Sequence, residues 1–181
     1  MISYRSALIL GGARSGKSRF AQATVEAASK QRVFIATAQA FDAEMQERIS
    51  RHQADRDAHW KTREANLDLV DAISSEVGPN RAVLVDCLTL WLSNLLLAGK
   101  DPDHEIDGLI ETIAFATGPR VLVSNEVGQG IVPVTPLGRL FRDAQGRLNQ
   151  RVAQAVQAVV FVTAGCPTLL KPAPYFDLKL A

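Results

Sequence analysis

Gly11-Gly12-Ala13-Arg14-Ser15-Gly16-Lys17-Ser18 sets the architecture of the whole chain. This stretch fits the phosphate-binding pattern G-x-x-x-x-G-K-S/T, and it lies between an apolar run at residues 7–10 and good helix formers at residues 19–23. Glycine lets such a loop curl until backbone N–H groups point at phosphate oxygens, and the helix that follows directs its positive end at the same anion. The sequence therefore predicts a strand, a phosphate-binding loop (P-loop) and a helix that together hold a nucleoside triphosphate.

Two side chains of the P-loop and one acid farther along the chain carry the predicted phosphate chemistry. Lys17 can reach the outer phosphates, so we assign it a catalytic role, and the Ser18 hydroxyl can ligate Mg²⁺. Asp86 follows the apolar run at 82–85, as the metal-side carboxylate of a P-loop protein does. A strand-end aspartate can also cap the next helix, but the P-loop favours the metal role. We therefore predict a Mg²⁺ site at Ser18 and Asp86.

The composition is that of an ordinary globular chain and argues against several classes of function. The 181 residues are 47% hydrophobic and 22% charged, with a net charge of +1, so we expect no nucleic-acid or membrane-surface partner. The longest apolar stretch, residues 88–98, is too short for a membrane span, and no signal peptide is visible in the first residues. Cys87 and Cys166 lack metal-ligand spacing, and we expect both to be buried thiols in the reducing cytoplasm.

Apolar runs of strand length alternate along the chain with segments of helix length. The strands predicted after the first are 32–36, 81–86, 120–124 and 159–162, with a short edge strand at 168–171. The helices predicted after the P-loop helix are 41–55, 66–77, 88–98, 106–117 and 136–157, and residues 56–64 form a polar stretch. This order indicates an α/β fold with a mostly parallel central sheet flanked by helices on both faces. Ligands of such sheets collect at the carboxyl ends of the strands, so the polar residues there define the site.

A loop rich in glycine and proline, residues 125–136, is long enough to suggest a functional role. Glu126 in this loop could position a nucleophile or bind a substrate hydroxyl, and it could equally be a solvated carboxylate. The helix predicted after the loop has one apolar face, which consists of Leu137, Leu140, Phe141, Ala144, Leu148, Val152 and Val156. We expect this face to pack against the core.

His52 is the most informative single residue after Lys17, and it has two interpretations. It continues an apolar stripe of the helix predicted at 41–55, which consists of Phe41, Met45 and Ile49. It could therefore be a histidine at the edge of the core. Its neighbours one turn away are Arg48 and Arg56, and two nearby cations lower the pKa of an imidazole, keep it neutral and nucleophilic, and attract a triphosphate. From these residues alone both interpretations stay open.

The chain resembles a known family over almost its whole length, in blocks that follow the same order. The blocks are residues 11–18, 35–38, 86–89, 125–133, 141–143, 146–147 and 149–150, together with His52, Arg56, Trp60, Thr62 and Glu64. It resembles the bifunctional adenosylcobinamide kinase/adenosylcobinamide-phosphate guanylyltransferases of cobalamin biosynthesis. Many families share the P-loop, whereas the blocks around His52 and at 125–133 are far more specific. The family usually has proline where this chain has Asp57, which could alter the turn near His52 but removes no catalytic group.

The resemblance implies a RecA-like P-loop NTPase fold and a homotrimer. The length of the chain and the lack of a dividing linker predict that residues 1–181 form a single kinase/guanylyltransferase domain, and the cysteine usage favours a cytoplasmic location. The resemblance also implies that ATP or GTP phosphorylates adenosylcobinamide, a corrinoid. It further implies that GTP transfers GMP to adenosylcobinamide phosphate through a covalent GMP–histidine intermediate. His52 and Lys17 are then the catalytic residues. The implied nucleotide-binding residues are Gly11, Gly12, Ala13, Arg14, Ser15, Gly16, Lys17, Ser18, Ala36, Thr37, Ala38, Gln53, Ala54, Asp55, Arg56, Glu64 and Asp86.

Two other classes of function compete with this interpretation. The first is a simple small-molecule kinase in which His52 has only a structural role. The second is a nucleotide-switched binding protein, but the sequence lacks the N-K-x-D motif that reads guanine in such switches. Residues 143–146 match D-x-x-G, yet they lie on a late amphipathic helix rather than after an early strand, so we discount them.

Overall fold

The computed structural model describes residues 3–39 and 58–173 of the chain. Its strands are β1 (Ser6–Gly11), β2 (Gln31–Ala36), β3 (Trp60–Glu64), β4 (Arg81–Asp86), β5 (Arg120–Asn125), β6 (Ala158–Thr163) and β7 (Cys166–Lys171). They form one seven-stranded sheet in the order β3-β2-β4-β5-β1-β6-β7. All neighbouring strands are parallel except β6 and β7, which are antiparallel. The predictions of a mostly parallel sheet and of an edge strand late in the sequence are therefore confirmed.

The helices within the described ranges are α1 (Lys17–Ala28), α2 (Leu69–Glu76), α3 (Leu88–Leu97), α4 (Pro102–Phe115) and α5 (Pro136–Ala155). Two of them begin at a side-chain cap, because the Asp101 carboxylate accepts from the N–H of Asp103 and the Thr135 hydroxyl accepts from that of Gly138. Proline follows each cap, and its fixed φ suits the first helical position. The helix predicted at 41–55 lies outside the described residues.

Alternate residues of the strands point to opposite faces of the sheet, and helices cover both faces. In β1, Leu8 and Leu10 belong to one apolar cluster and Ile9 belongs to the other. Residues of α1 complete the cluster around Ile9, whereas residues of α2, α3, α4 and α5 complete the cluster around Leu8. The prediction of helices on both faces is confirmed. In the part of the chain that the structure describes, no helix combines the length and apolar character needed to cross a membrane.

The structure contains a strand that the sequence pattern did not indicate. β3 lies inside the polar stretch 56–64 and pairs in parallel with β2 at one edge of the sheet. Its residues are half-buried or exposed, because an edge strand is held by backbone pairing and needs no apolar alternation. Trp60 anchors it, since its ring meets Phe34 edge-on at a centroid distance of 6.4 Å and its Nε1 donates to Glu26 at 3.2 Å.

Three residues predicted to be buried are exposed instead. Cys87 is buried as expected, but Cys166 lies exposed on the edge strand β7. Leu137 and Leu140 are exposed as well, although residues of the same face farther along α5 are buried. The apolar face of this helix therefore meets the core only from about its middle onward, and its first turns carry apolar side chains that the described residues do not cover.

A buried carboxylate ties the β3 edge of the sheet to the helix that covers it. Glu76, at the end of α2, forms ion pairs with Lys61, Arg63 and Arg81 at N–O distances of 2.6, 3.7 and 3.1 Å. Burial would raise the pKa of the Glu76 carboxyl, but the hydrogen bond and charge of Lys61, then the charges of Arg81 and Arg63, outweigh it and hold that pKa below its usual range. Glu76 thus stays ionised at neutral pH and links α2 to β3 and β4.

Candidate nucleotide site

The P-loop connects β1 to α1 and adopts a tight turn. Arg14 and Gly16 have positive φ angles of 54° and 92°, so the loop reverses direction just before Lys17 begins the helix. The ammonium of Lys17 donates to the carbonyl of Gly12 at 3.0 Å, which folds this side chain back across the loop. Phosphate oxygens that enter the loop would meet both backbone N–H groups and this cation.

A turn from the far end of the chain holds the P-loop in place. Ala164 and Gly165, between β6 and β7, have positive φ angles of 51° and 80° and form a tight hairpin turn. The N–H of Gly165 donates to the carbonyl of Ser15 at 2.8 Å. A Cβ on Gly16 would lie 3.2 Å from the Cα of Gly165, so the close approach of the two segments depends on glycine. The sequence pattern did not single out Gly165, although a glycine between two short apolar runs is a hairpin signal.

Several of the predicted nucleotide-binding residues are the last residues of adjacent strands, at the carboxyl end of the parallel sheet. Ala36 of β2 is in register with Glu64 of β3 on one side and with Asp86 of β4 on the other. β1 ends with Gly11, the first residue of the P-loop. Because the carboxyl ends of parallel strands share one edge, the structure brings these residues and the P-loop to the same side of the molecule.

A cleft of about 460 Å³ beside the P-loop brings the two predicted metal ligands together. Its lining consists of Ser18, Arg19, Gln22, Ala23, Glu26, Phe34 and Asp86. Mg²⁺ accepts hydroxyl and carboxylate oxygens, and in nucleotide sites it takes the rest of its ligands from phosphates and water. The side chains of Ser18 and Asp86 therefore fit this metal.

Thr37 has a structural role that its position in the sequence did not reveal. Its buried hydroxyl donates to the carbonyl of Cys87 at 2.7 Å and accepts from the N–H of Cys87 at 2.8 Å. Its carbonyl accepts from Nδ2 of Asn94 at 2.8 Å. These bonds join the segment after β2 to the segment after β4. The nucleotide contacts of Ala36, Thr37 and Ala38 stay a prediction, and Thr37 fixes the backbone on which they depend.

Cys87 follows Asp86 directly, but its thiol is a poor candidate for chemistry. Burial, and then the negative charge of Asp86, raise the pKa of Cys87 to about 11, so the thiol stays protonated at neutral pH. A buried neutral thiol is a weak nucleophile and a weak ligand for a hard cation such as Mg²⁺. At this strand end the candidate functional group is therefore the carboxylate of Asp86.

A buried polar network holds the end of β5 and the start of the loop that follows. Oγ of Ser124 donates to Oδ1 of Asn149 at 2.7 Å and accepts from Nε2 of Gln145 at 2.9 Å. Oγ1 of Thr89 accepts from the N–H of Asn125 at 2.8 Å, and Nδ2 of Asn149 donates to the Asn125 carbonyl at 3.0 Å. The network joins β5 to α3 and α5. Its signal in the sequence was the pair Gln145 and Asn149, two amides one helical turn apart beside the apolar face of α5.

Glu126 is the first residue of that loop, and it lies beside the P-loop. Its N–H donates to the carbonyl of Gly11 at 3.2 Å, and its Oε1 accepts from the N–H of Gly128 at 2.7 Å. The side chain is half-buried and is oriented by its own loop. The structure therefore brings this carboxylate close to the first residue of the P-loop.

Five of the predicted site residues, His52, Gln53, Ala54, Asp55 and Arg56, lie outside the described residues. The covalent role of His52 and the nucleotide contacts of residues 53–56 therefore stay predictions. The nearest described histidine in the sequence, His59, is exposed.

The parallel sheet, the P-loop between β1 and α1 and the acid at the end of β4 define a RecA-like P-loop nucleotide-binding protein. The assembled ATPase EscN of the type III secretion system of enteropathogenic E. coli has the same fold, with a TM-score of 0.56 at 12% identity. The match covers 89% of this chain and 43% of that chain, and an identity this low shows the fold alone.

The chain belongs to the cobinamide kinase / cobinamide phosphate guanyltransferase family, which matches residues 7–170. It is 48% identical over 170 residues to the bifunctional adenosylcobalamin biosynthesis protein CobP of Pseudomonas aeruginosa. The match covers 92% of this chain and 98% of that protein. The chain is 41% identical over 179 residues to the corresponding protein CobU of Escherichia coli, which covers 91% of this chain and 98% of that protein. The resemblance noted in the sequence is confirmed, and the chain is an enzyme of this bifunctional family.

Proposed function

We propose that the chain phosphorylates the aminopropanol hydroxyl of adenosylcobinamide with ATP or GTP and then transfers GMP from GTP to adenosylcobinamide phosphate. The second reaction releases pyrophosphate and gives adenosylcobinamide-GDP. The observation that carries the proposal is the group of side chains at the carboxyl end of the sheet. There Lys17 folds across the P-loop, beside a cleft lined by Ser18 and Asp86. Membership in the cobinamide family supplies the substrate class.

Phosphoryl transfer depends on positioned phosphates and neutralised charge more than on acid–base chemistry. The P-loop N–H groups and the start of α1 bind the phosphates, and Lys17 neutralises the charge that develops on the outer one. Ser18 and Asp86 would hold Mg²⁺, which supplies further charge neutralisation when it is bound. The acceptor oxygen bonds to the γ-phosphorus while the bond from that phosphorus to the leaving diphosphate breaks, and the hydroxyl proton is released to water. Glu126, whose N–H bonds to the carbonyl of Gly11, would orient the acceptor hydroxyl.

Guanylyl transfer proceeds in two displacements, because a covalent intermediate divides one difficult transfer into two easier steps. A ring nitrogen of His52 bonds to the α-phosphorus of GTP, and the bond to the pyrophosphate oxygen breaks. A phosphate oxygen of adenosylcobinamide phosphate then bonds to the same phosphorus, and the bond to histidine breaks. Residues 53–56 and Glu64 bind the nucleotide during both steps. Glu64 lies at the same sheet edge as Asp86, one strand beyond Ala36.

The remaining parts of the proposal concern the assembly. Residues 1–181 form a single catalytic domain, and the protein acts as a cytoplasmic homotrimer. The trimer follows from the resemblance to the family, the single domain from the length of the chain, and the cytoplasmic location from its cysteine usage. Sedimentation of the purified protein measures the trimer directly, as a mass about three times that of the 19.6 kDa chain.

The test of the covalent step uses GTP labelled at the α-phosphate. We expect wild-type protein to acquire a label that is stable in base and lost in acid, as a phosphorus–nitrogen bond to histidine requires. His52→Ala should lose the label and guanylyl transfer while it keeps measurable kinase activity, because the P-loop is intact. His59→Ala is the matched control and should label like wild type, because His59 is an exposed histidine close in sequence.

Two results would count against this account. Label that persists in His52→Ala would move the covalent role to another residue. Wild-type protein that phosphorylates cobinamide but never acquires label would make the chain a simple kinase, with His52 in a structural role.

A further inference from the structure

An exposed apolar surface lies on the loop after β5 and the start of α5, and the reactions proposed above assign it no role. It consists of Ile131, Val132, Val134, Leu137 and Leu140, and we call it the apolar loop surface. Ile131 and Val134 are 96% and 93% exposed. Single exposed apolar residues are ordinary in proteins, whereas several within one short segment, here residues 131–140, indicate a binding surface.

Hydrogen bonds and tight packing hold this surface in its outward conformation. Nη1 of Arg139 donates to the carbonyls of Pro133 and Val134 at 3.1 and 2.7 Å. Thr135 caps α5 through the N–H of Gly138, and a Cβ on Gly138 would lie only 2.8 Å from Cβ of Pro133. The loop is therefore fastened to the start of α5. The backbone that carries Val134 and Leu137 cannot move away from the start of α5 without the loss of these contacts.

The loop that carries the apolar loop surface begins beside the phosphate site. Its first residue is Glu126, whose N–H is bonded to the carbonyl of Gly11 at 3.2 Å. The buried network around Ser124 fixes the preceding residue, Asn125. From Glu126 to Ile131 the chain can extend at most about 18 Å. A large ligand whose reacting end lies at the P-loop can therefore rest its bulk on this surface.

The chemistry of the surface suits a ligand whose outer face is uncharged and carries both apolar groups and amides. Residues 127–137 carry no charged side chain. Within residues 3–39 and 58–173, the backbone of residues 129–132 has no hydrogen-bond partner, so its peptide groups face solvent beside the apolar side chains. A corrinoid ring offers the complement, because its rim carries methyl groups and neutral amide arms.

The extent of the surface suits one face of a macrocycle. Five side chains of this size expose on the order of a few hundred Å² of apolar area.

We propose that the apolar loop surface is the docking surface for the corrinoid ring of the acceptor substrate. The aminopropanol arm then reaches past Glu126 to the phosphates. This inference rests on the proposed function, from which it takes the identity of the acceptor. The nucleotide site is separate from the docking surface, so the two substrates bind to different parts of the chain.

The test measures kinase kinetics and corrinoid binding in the double variant Ile131→Ser/Val134→Ser. We expect the KM for adenosylcobinamide to rise about tenfold, because apolar area that the ring would cover is removed. The KM for ATP and the sedimentation mass should stay within error of wild type. Phe115→Ser is the matched control, because Phe115 is 83% exposed and lies on α4, and it should change neither KM. Equilibrium dialysis, read through the visible absorbance of the corrin, should show the same loss of affinity.

Three results would overturn the inference, and they differ from one another. An unchanged corrinoid KM and dialysis curve in the double variant would remove the docking role and leave the proposed function intact. A double variant that sediments as a smaller species would identify the surface as a subunit contact. Wild-type protein that neither binds nor phosphorylates adenosylcobinamide would remove the proposed function and this inference together. The single variants Ile131→Ser and Val134→Ser give the same answers should the double variant fold poorly.

Discussion

Asp86 follows four buried apolar residues and is the last residue of β4. Its side chain lines the cleft beside the P-loop. Its partner in the proposed metal site, Ser18, comes from the first turn of α1, about seventy positions earlier in the sequence. The two meet because β4 and the P-loop end at the same edge of the sheet. The pairing of strand-end acid and loop hydroxyl is therefore a property of the topology.

The first prediction concerns the charge of Asp86. Asp86→Asn keeps the size of the side chain and removes its charge, so we expect the Mg²⁺ concentration for half-maximal turnover to rise roughly tenfold or more. Nucleotide binding measured in EDTA should change little, because the P-loop supplies it. Asp71→Asn on the exposed side of α2 is the control and should leave both measurements unchanged. Equal loss of turnover and of metal-free nucleotide binding would instead indicate a structural role for Asp86.

At the scale of the secondary structure elements, the P-loop depends on the turn between β6 and β7. That turn reaches the loop through one backbone hydrogen bond, from Gly165 to Ser15. Its two central residues both have positive φ, but only one of them is glycine. The hairpin at the end of the described chain is thus part of the support for the phosphate site at its beginning.

The second prediction compares the two central residues of this turn. Gly165→Ala should raise the KM for nucleotide several-fold, because alanine at a φ of 80° costs about 1–2 kcal/mol and the turn would shift away from Ser15. A Cβ at position 165 meets no atom within 4 Å, so the effect would come from the backbone alone. Ala164→Gly is the matched control in the same turn and should bind nucleotide as wild type does, since glycine relieves a positive φ. Nucleotide titration and thermal unfolding measure both variants. Wild-type affinity in Gly165→Ala would show that the turn does not position the loop.

At the scale of the molecule, the sheet is stabilised by an apolar cluster on each face and by ion pairs at one edge. The two clusters follow from strands in which neighbouring residues point to opposite faces. The β3 edge has little apolar area, and there Glu76 and its three cationic partners join α2, β3 and β4. Stability at this edge should therefore depend on pH.

The third prediction gives the direction of that dependence. The folded state holds the pKa of Glu76 below the value of 4.5 that applies to a free carboxyl, so its contribution is complete above that pH and is lost as the pH falls through the folded pKa. Glu76→Gln should lower the free energy of unfolding at pH 7 by about 1–2 kcal/mol, because the partners are partly exposed and screened. The difference from wild type should shrink below pH 4.5, as urea unfolding at several pH values would show.

The control for this experiment is Glu105→Gln, which breaks the surface pair of Glu105 with Lys100. This variant should follow the wild-type pH profile. A difference between Glu76→Gln and wild type that stays constant from pH 7 to pH 3.5 would show that the loss arises from packing and not from charge.

Much of this architecture could be predicted, and the failures have specific causes. The central strands could be predicted because they are buried on both faces and are apolar throughout, as in β4. β3 could not, because an edge strand is held by backbone pairing with β2 that no side-chain pattern records. Leu137 and Leu140 were expected in the core because helical periodicity shows which residues share a face, but not how far along the helix the core extends.

The local order of residues was sufficient to predict the P-loop and the alternation of strands and helices, because each depends on neighbours within about one element's length. The family could also be identified from short blocks in their order. Three features could be recognised only in the folded chain. They are the placement of Glu64, Ala36 and Asp86 in one row, the support of Ser15 by Gly165, and the exposure of the apolar loop surface. These features depend on contacts between residues far apart in the sequence, and such contacts are set by strand order and packing, which local patterns do not encode.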